Sequence, residues 1–171
     1  VVIGFGATAR GAVTALGALG VHDVDVLTAR GVTAVSSPIH SARIVHFDHD
    51  KADDTLDPRR SVALTEHGPL PLAEFLARHD IIVNCVLQDT DAPLMFLIDE
   101  DLPKLAPGTL VIDVSCDEGM GFEWARPTTF TDPMFTVGDH VRYYAVDHSP
   151  SYLWNSATWE NSEALLPYLD L

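Results

Sequence analysis

Six residues near the start of the chain, Gly4-Phe5-Gly6-Ala7-Thr8-Ala9, have the types and the spacing to hold a phosphate. They follow the β-branched run Val1-Val2-Ile3 and precede an alanine-rich stretch, so a strand, a glycine turn and a helix are expected in succession. This is Gly-x-Gly-x-x-Ala, the alanine variant of the dinucleotide fingerprint. Each position has a reason. Gly4 allows a tight turn, Gly6 lets a pyrophosphate come close to the backbone, and Ala9 is small enough for the helix to lie on the strand. The unpaired N–H groups of the first helical turn, at Ala7, Thr8 and Ala9, then face the phosphates with a partial positive charge.

A second group of candidates lies at the expected ends of later strands. Thr28 and Arg30 close the second strand. In this position an acid binds the ribose 2′-hydroxyl of NAD, whereas an arginine accommodates the 2′-phosphate of NADP through a bidentate fork. No acid ends the strand, so NADP(H) is favoured over NAD(H). Further on, residues 86–92 are expected to line a cofactor cleft, with Val86 and Leu87 first. The loop at 116–123 carries Asp117, Glu118 and Glu123, acids suited to polar work at the reacting end of a ligand. Metal chemistry has little support. Cys85 and Cys116 are isolated in apolar runs and read as buried free thiols, while His46 and His49 sit among aspartates in what reads as a polar loop.

These residues need a frame, and the sequence supplies one. A helix is expected over 7–20 with Gly20 as its stop, and a strand over 24–27, which completes a strand–helix–strand unit in about thirty residues. Ser36-Ser37-Pro38 interrupts the next helix, and 44–47 reads as a third strand. Residues 71–78 have the pattern of a short helix. Residues 81–87, a continuous apolar run, should be a fourth strand beside the first, across the point where strand order reverses. The end of a helix is expected over 102–107, and further strands over 109–115 and 141–146. The expected fold is α/β, a Rossmann-type doubly wound, mainly parallel sheet.

The chain carries 25 Asp and Glu against 10 Lys and Arg, a formal charge of −15. Such a surface repels nucleic acid and anionic lipid, so the expected partners are small molecules and not a polynucleotide or a membrane. No apolar run reaches the roughly 18 residues that a bilayer span requires, and a reducing, cytoplasmic setting fits the two unpaired cysteines. Because the chain opens inside a strand-like run, it is expected to be part of a longer polypeptide.

Three stretches carry a more specific signal: 80–85 (Asp-Ile-Ile-Val-Asn-Cys), 111–117 (Val-Ile-Asp-Val-Ser-Cys-Asp) and 145–151 (Ala-Val-Asp-His-Ser-Pro-Ser), with Arg126-Pro127-Thr128-Thr129-Phe130 between them. In this order they resemble the family that unites alanine dehydrogenase, the lysine-forming saccharopine dehydrogenase and N5-(carboxyethyl)ornithine synthase. The resemblance implies an oxidoreductase: reversible hydride transfer at a C–N bond, with a 2-oxo acid and ammonia or an amino-acid amine as substrates. It implies that Asp117 is catalytic beside the nicotinamide, and that Asp147 and His148 border the same end of the cleft, His148 as a second catalytic candidate. It also implies a homo-oligomer. Residues 1–150 would be the NAD(P)-binding domain and 151–171 a helix leading back to a substrate domain with no counterpart in these 171 residues. The chain alone should then bind cofactor and turn over little. Arg30 departs from the acid of the NAD-using members and points toward the carboxyethylornithine synthase type. The competing expectation is a domain that senses NADP(H) without transferring hydride.

Overall fold

The computed structural model describes residues 1–31, 39, 41–48 and 61–169. The expectations at Ser36-Ser37-Pro38 and at His49 fall outside these residues.

The first unit is β1 (Val2–Ile3), α1 (Ala7–Ala18) and β2 (Asp25–Thr28). Glycines at 11 and 17 each cost a helix interior about 1 kcal/mol, so α1 depends on what it buries. Ala9, Val13 and Leu16, spaced to share one face, are its buried residues. It ends as the sequence suggests. Gly20 takes φ +85°, and the N–H groups of Gly20 and Val21 close on the Gly17 and Leu16 carbonyls in a Schellman motif.

The chain continues through β3 (Arg43–Asp48), β4 (Val62–Thr65), β5 (Gly68–Pro71), α2 (Leu72–Leu76), β6 (Ile81–Asn84), β7 (Met95–Leu97), β8 (Leu110–Asp113), β9 (Gly121–Phe122), β10 (Met134–Val137) and β11 (Val141–Tyr144). Nine strands form one sheet in the order β10-β11-β8-β6-β1-β2-β3-β4-β5, and β7 pairs with β9 in a small second sheet. The six central strands, β11 to β3, are parallel; β4 and β10 run against them at the edges, and β5, antiparallel to β4, runs with them again. Order reverses between β1 and β6, which pair through Val2–Val83 and Ile3–Asn84. Successive side chains point opposite ways, and the central strands β1, β2 and β6 are buried on both faces. Val2, Val26 and Val83 face α1, while Ile3, Leu27 and Ile82 face a second core with Phe96, Phe122 and Tyr143.

Several expected boundaries are corrected. The fourth strand ends at Asn84, not at 87, because the Val86 N–H turns back onto the Asn84 side chain. The fifth ends at Asp113, and the Ser115 and Cys116 N–H groups bond to its carboxylate instead of continuing the ladder. The last ladder stops at Tyr144, leaving Val146 in a single bridge with Thr128. The helix expected to finish over 102–107 is a 3₁₀ segment, Asp99–Lys104: Pro103 lacks a donor, and the Asp101 carboxylate accepts from the Ile98 N–H at 3.2 Å. Pro71 belongs to β5, so α2 is shorter than the expected 71–78. The β4–β5 hairpin and β10 were not expected at all. Finally, Cys85 and Cys116 are free but only half-buried.

After Ala145-Val146-Asp147-His148 comes a 3₁₀ turn, Ser149–Leu153, and then α3 (Trp154–Leu165), none of whose residues is buried. No helix among the described residues is long and apolar enough to cross a membrane.

Candidate functional site

All the expected site residues lie at or just beyond the C-terminal ends of the parallel strands, where open α/β sheets bind ligands. The glycine turn after β1 is made as its residue types require. Gly4 has φ +120°, its N–H donates to the Leu27 carbonyl at 2.8 Å, and a Cβ there would stand 3.0 Å from the Cys85 carbonyl oxygen. Only glycine fits. Gly6 is different: its φ of −81° suits any residue, and an added Cβ would meet no atom within 4 Å. The space over Gly6 is therefore what a bulky side chain would take from a ligand, not from the protein.

Gly6 is the N-cap of α1, and no side chain caps the first turn. The first intrahelical bond is Arg10 N–H to the Gly6 carbonyl. The amides of Ala7, Thr8 and Ala9 are the orphan donors that a helix N-terminus offers an anion. Ala9 is fully buried, so its side chain serves helix-to-strand packing and only its backbone could meet a ligand.

Beside this turn a cavity of about 210 Å³ is lined by Gly4, Phe5, Leu27, Thr28, Ala29, Arg30, Phe47, Val86, Leu87 and Leu94. Five expected residues thus meet at one opening. The Thr28 hydroxyl accepts the Arg30 N–H at 3.1 Å, which turns the chain so that Arg30 stands exposed at the rim. Leu87 is 94% exposed at the same rim, an apolar side chain with no protein partner to cover it. The fit to a dinucleotide is good: a cradle without a Cβ, free helix-terminal donors, an apolar slot for a base and a guanidinium at its edge.

The second cluster stands over β8 and β11. Asp117 is half-buried on the loop after β8, and its carbonyl accepts the Met120 N–H at 3.3 Å. Asp147 and His148 form a pair at 3.2 Å, both exposed, with His148 at φ +60°. Cys116 joins the two. Its Sγ lies 3.7 Å from the Val146 carbonyl, and its pKa is pushed up to about 11, by burial first and then by the charges of Asp113, Asp147 and Asp117. Burial and the Asp113 charge push Cys85 up to about 12. Burial and the neighbouring carboxylates thus favour the thiol form of both cysteines at neutral pH. Among the described residues no group of His, Cys, Asp and Glu gathers as a metal site. Glu118 is exposed, and Glu123 accepts the Asp99 N–H at 2.8 Å, a structural task.

The sequence reading missed the group that joins the clusters. Asp113 is buried and accepts from the Tyr143 hydroxyl at 2.6 Å, the Asn84 amide at 3.0 Å and the Ser115 N–H at 3.1 Å. Burial raises its pKa despite these bonds. The Ser115 hydroxyl donates to the Val86 carbonyl, tying the loop of Asp117 to the loop of the cavity. A signal existed: polar residues closing two apolar strands, Asn84 and Asp113, directly paired in register.

A doubly wound sheet with a glycine cradle at its switch point defines the class of dinucleotide-binding domains. The family follows from the comparisons. The model of the alanine dehydrogenase/PNT C-terminal domain matches residues 1–171, and the chain belongs to that family. Over 98 residues it is 31% identical to alanine dehydrogenase of Halomonas elongata, which covers 57% of this chain and 26% of that protein. Alanine dehydrogenase of Mycolicibacterium smegmatis is 27% identical over 100 residues, 58% of this chain and 27% of the relative. Among solved structures, an L-alanine dehydrogenase superposes with a TM-score of 0.71 over 98% of this chain and 41% of its own, at 18% identity. A transhydrogenase from Sinorhizobium meliloti gives 0.69, 20% identity, and the same 98% against 43% of its chain. These last two likenesses establish the fold. The chain spans about a quarter of the length of the two alanine dehydrogenases that it matches in sequence.

Proposed function

We propose that this chain is the nucleotide-binding domain of an NAD(P)-dependent oxidoreductase that acts at C–N bonds, joining a 2-oxo acid to ammonia or to an amino-acid amine. The observation that carries the reading is the opening shared by Gly4, Thr28, Arg30, Val86 and Leu87, with Gly6 capping the adjoining helix and Asp117, Asp147 and His148 over the neighbouring strand ends. Gly6 and the amides of Ala7, Thr8 and Ala9 would hold the pyrophosphate. Val86, Leu87 and Leu94 would flank the adenosine, and Arg30 would pair with a 2′-phosphate, so NADP(H) is favoured over NAD(H). The bound reduced cofactor would supply a hydride.

Asp117 supports the other half of the chemistry. Condensing a 2-oxo acid with an amine expels water and gives a cationic iminium carbon, which becomes the amine on accepting hydride. A half-buried carboxylate beside that carbon stabilises the developing cation and orders the attacking amine or the departing water. Asp147 holds the exposed His148 ring at the same end, where an imidazole can exchange a proton with the amine. The substrate-choosing groups would lie in a second domain. Residues 1–150 would then be the nucleotide domain and 151–171 the link, a role that suits α3, none of whose residues is buried. A homo-oligomer of the complete protein, working in the cytoplasm on small molecules, completes the reading.

Calorimetry of the chain with NADPH and NADH, followed by an NADPH-oxidation screen of the whole protein, tests it. Pyruvate and 2-oxoglutarate would each be offered with ammonia, lysine and ornithine. Saturable binding with turnover in at least one pairing is expected. Binding without turnover in any pairing would instead identify a cofactor sensor.

A further inference from the structure

The loops that carry the two clusters are joined at both ends. One runs from Cys85 to Leu94 and brings Val86, Leu87 and Leu94 to the cavity. The other runs from Val114 to Met120 and carries Asp117. At their near ends the joint is a chain of side-chain bonds. The Val86 N–H donates to Asn84 Oδ1 at 3.2 Å, and Asn84 Nδ2 donates to Asp113 Oδ1 at 3.0 Å. The same Asp113 oxygen takes the Ser115 N–H at 3.1 Å and the Cys116 N–H at 3.4 Å. At the far ends the joint is the β7–β9 pair, with the Gly121 N–H on the Leu94 carbonyl at 2.8 Å.

Gly121 ties the two joints together. Its φ is +77°, and a Cβ there would lie 3.1 Å from Asn84 Nδ2 and 3.5 Å from Gln88 Nε2. The far end of the Asp117 loop therefore rests on the amide that anchors its near end. Gln88, itself buried, accepts the Leu94 N–H through Oε1 at 3.0 Å and closes the cavity loop on itself. Tyr143 reaches the second Asp113 oxygen from β11, the strand that leads to Asp147 and His148.

We infer that Asn84 and Asp113 are the positioning pair of this site: they set the Asp117 loop and the cavity loop in one fixed register, so that neither loop moves without the other. This rests on the proposed function for its catalytic meaning, though the coupling itself is a property of the chain. The residue types fit the task. One carboxylate oxygen can accept from several donors, as Asp113 Oδ1 does, and an amide is the side chain that accepts from one loop while donating to the other. An error of about 1 Å in such a register can cost about 100-fold in rate, which makes a buried, hydrogen-bonded anchor worth its desolvation.

Hydrogen exchange on the 171-residue chain tests the coupling directly. Asn84→Ala lies on β6 and Asp113→Asn on β8, yet each is expected to speed exchange about tenfold in both loops, 86–94 and 114–121, with β1 and β2 changed less than about twofold. If each variant loosens only the loop of its own strand, or if exchange rises throughout the sheet, the inference fails. Turnover by the whole enzyme gives the second readout. Asp113→Asn should lower kcat about tenfold with the nucleotide KM within about twofold, and Asp113→Asn combined with Asp117→Ala should fall no further than Asp117→Ala alone. Losses that multiply would overturn a role exerted through Asp117. A wild-type chain that binds neither NADPH nor NADH would refute the proposed function, while the exchange pattern would still decide the coupling.

Discussion

The two halves of the cleft are built from different materials. Over β1 and β2 the site is made of backbone: a glycine turn, a helix terminus and a hydroxyl that shapes a turn. Over β6, β8 and β11 it is made of side chains, with Asn84, Asp113 and Tyr143 buried together under exposed or half-exposed acids. A phosphate can be held by N–H groups that every residue carries, so the first half needs only the right backbone path. Charge that develops during a reaction needs placed carboxylates, which need anchors. The difference teaches where each half is fragile: the first to any side chain at a glycine, the second to the loss of one polar partner.

The largest expected effect tests the first half. Gly4→Val places a Cβ 3.0 Å from the Cys85 carbonyl at φ +120°. Strain and overpacking together should cost about 3 kcal/mol or more, read as a lower denaturation midpoint. Gly6→Ala is its counterpart: stability should change by less than about 1 kcal/mol, while NADPH affinity falls at least about tenfold by calorimetry. Equal stability losses at the two glycines would mean that the turn is only structural.

In the second half, Tyr143→Phe removes one donor to a buried carboxylate and should cost about 1–3 kcal/mol. The pH dependence of stability contrasts Asp113 with a buried aspartate at the other end of the sheet. Asp113 has its pKa raised by burial, so from the ordinary value of 3.8 upward the folded state binds more protons than the unfolded one. Its contribution therefore falls as pH rises through that window, and Asp113→Asn should flatten the decline. Asp25 is the opposite case. Burial works against its carboxylate, but hydrogen bonds from His79 and Arg43 outweigh that and lower its pKa. Its contribution is present above 3.8 and is lost as pH falls toward the lower native value, so Asp25→Asn should remove stability at neutral pH and soften acid unfolding. Denaturation midpoints across pH check both signs. Arg30→Ala should weaken NADPH about tenfold and leave NADH unchanged; equal losses for both would remove Arg30 from the 2′-phosphate. The smallest effect belongs to α3. Trp159→Ser, at a residue 67% exposed, should shift the stability of the chain by less than about 0.5 kcal/mol.

The backbone half was legible because its requirements are local. Gly4, Gly6 and Ala9 lie within one turn of chain, and Gly20 marks a helix end through its own φ. The hairpin Val62–Thr65 with Gly68–Pro71 was not legible, since Gly-Pro-Leu-Pro is a poor strand by composition and is held as one by pairing with β4. The 3₁₀ segment at Asp99–Lys104 escaped for a similar reason, its form being decided by the Asp101 cap and Pro103 together.

By itself the sequence determined the parallel frame, the place of the glycine turn after β1 and the identity of the acids beyond β8 and β11. Apolar periodicity, glycine φ and charge are properties of neighbouring residues, and they survive in any reading of the chain. Only the tertiary structure decided that Asn84, Asp113, Ser115, Gly121 and Tyr143 are one object. Their bonds span 29 to 30 positions or cross between strands, and the free energy of a buried polar group depends on which partners the fold brings to it.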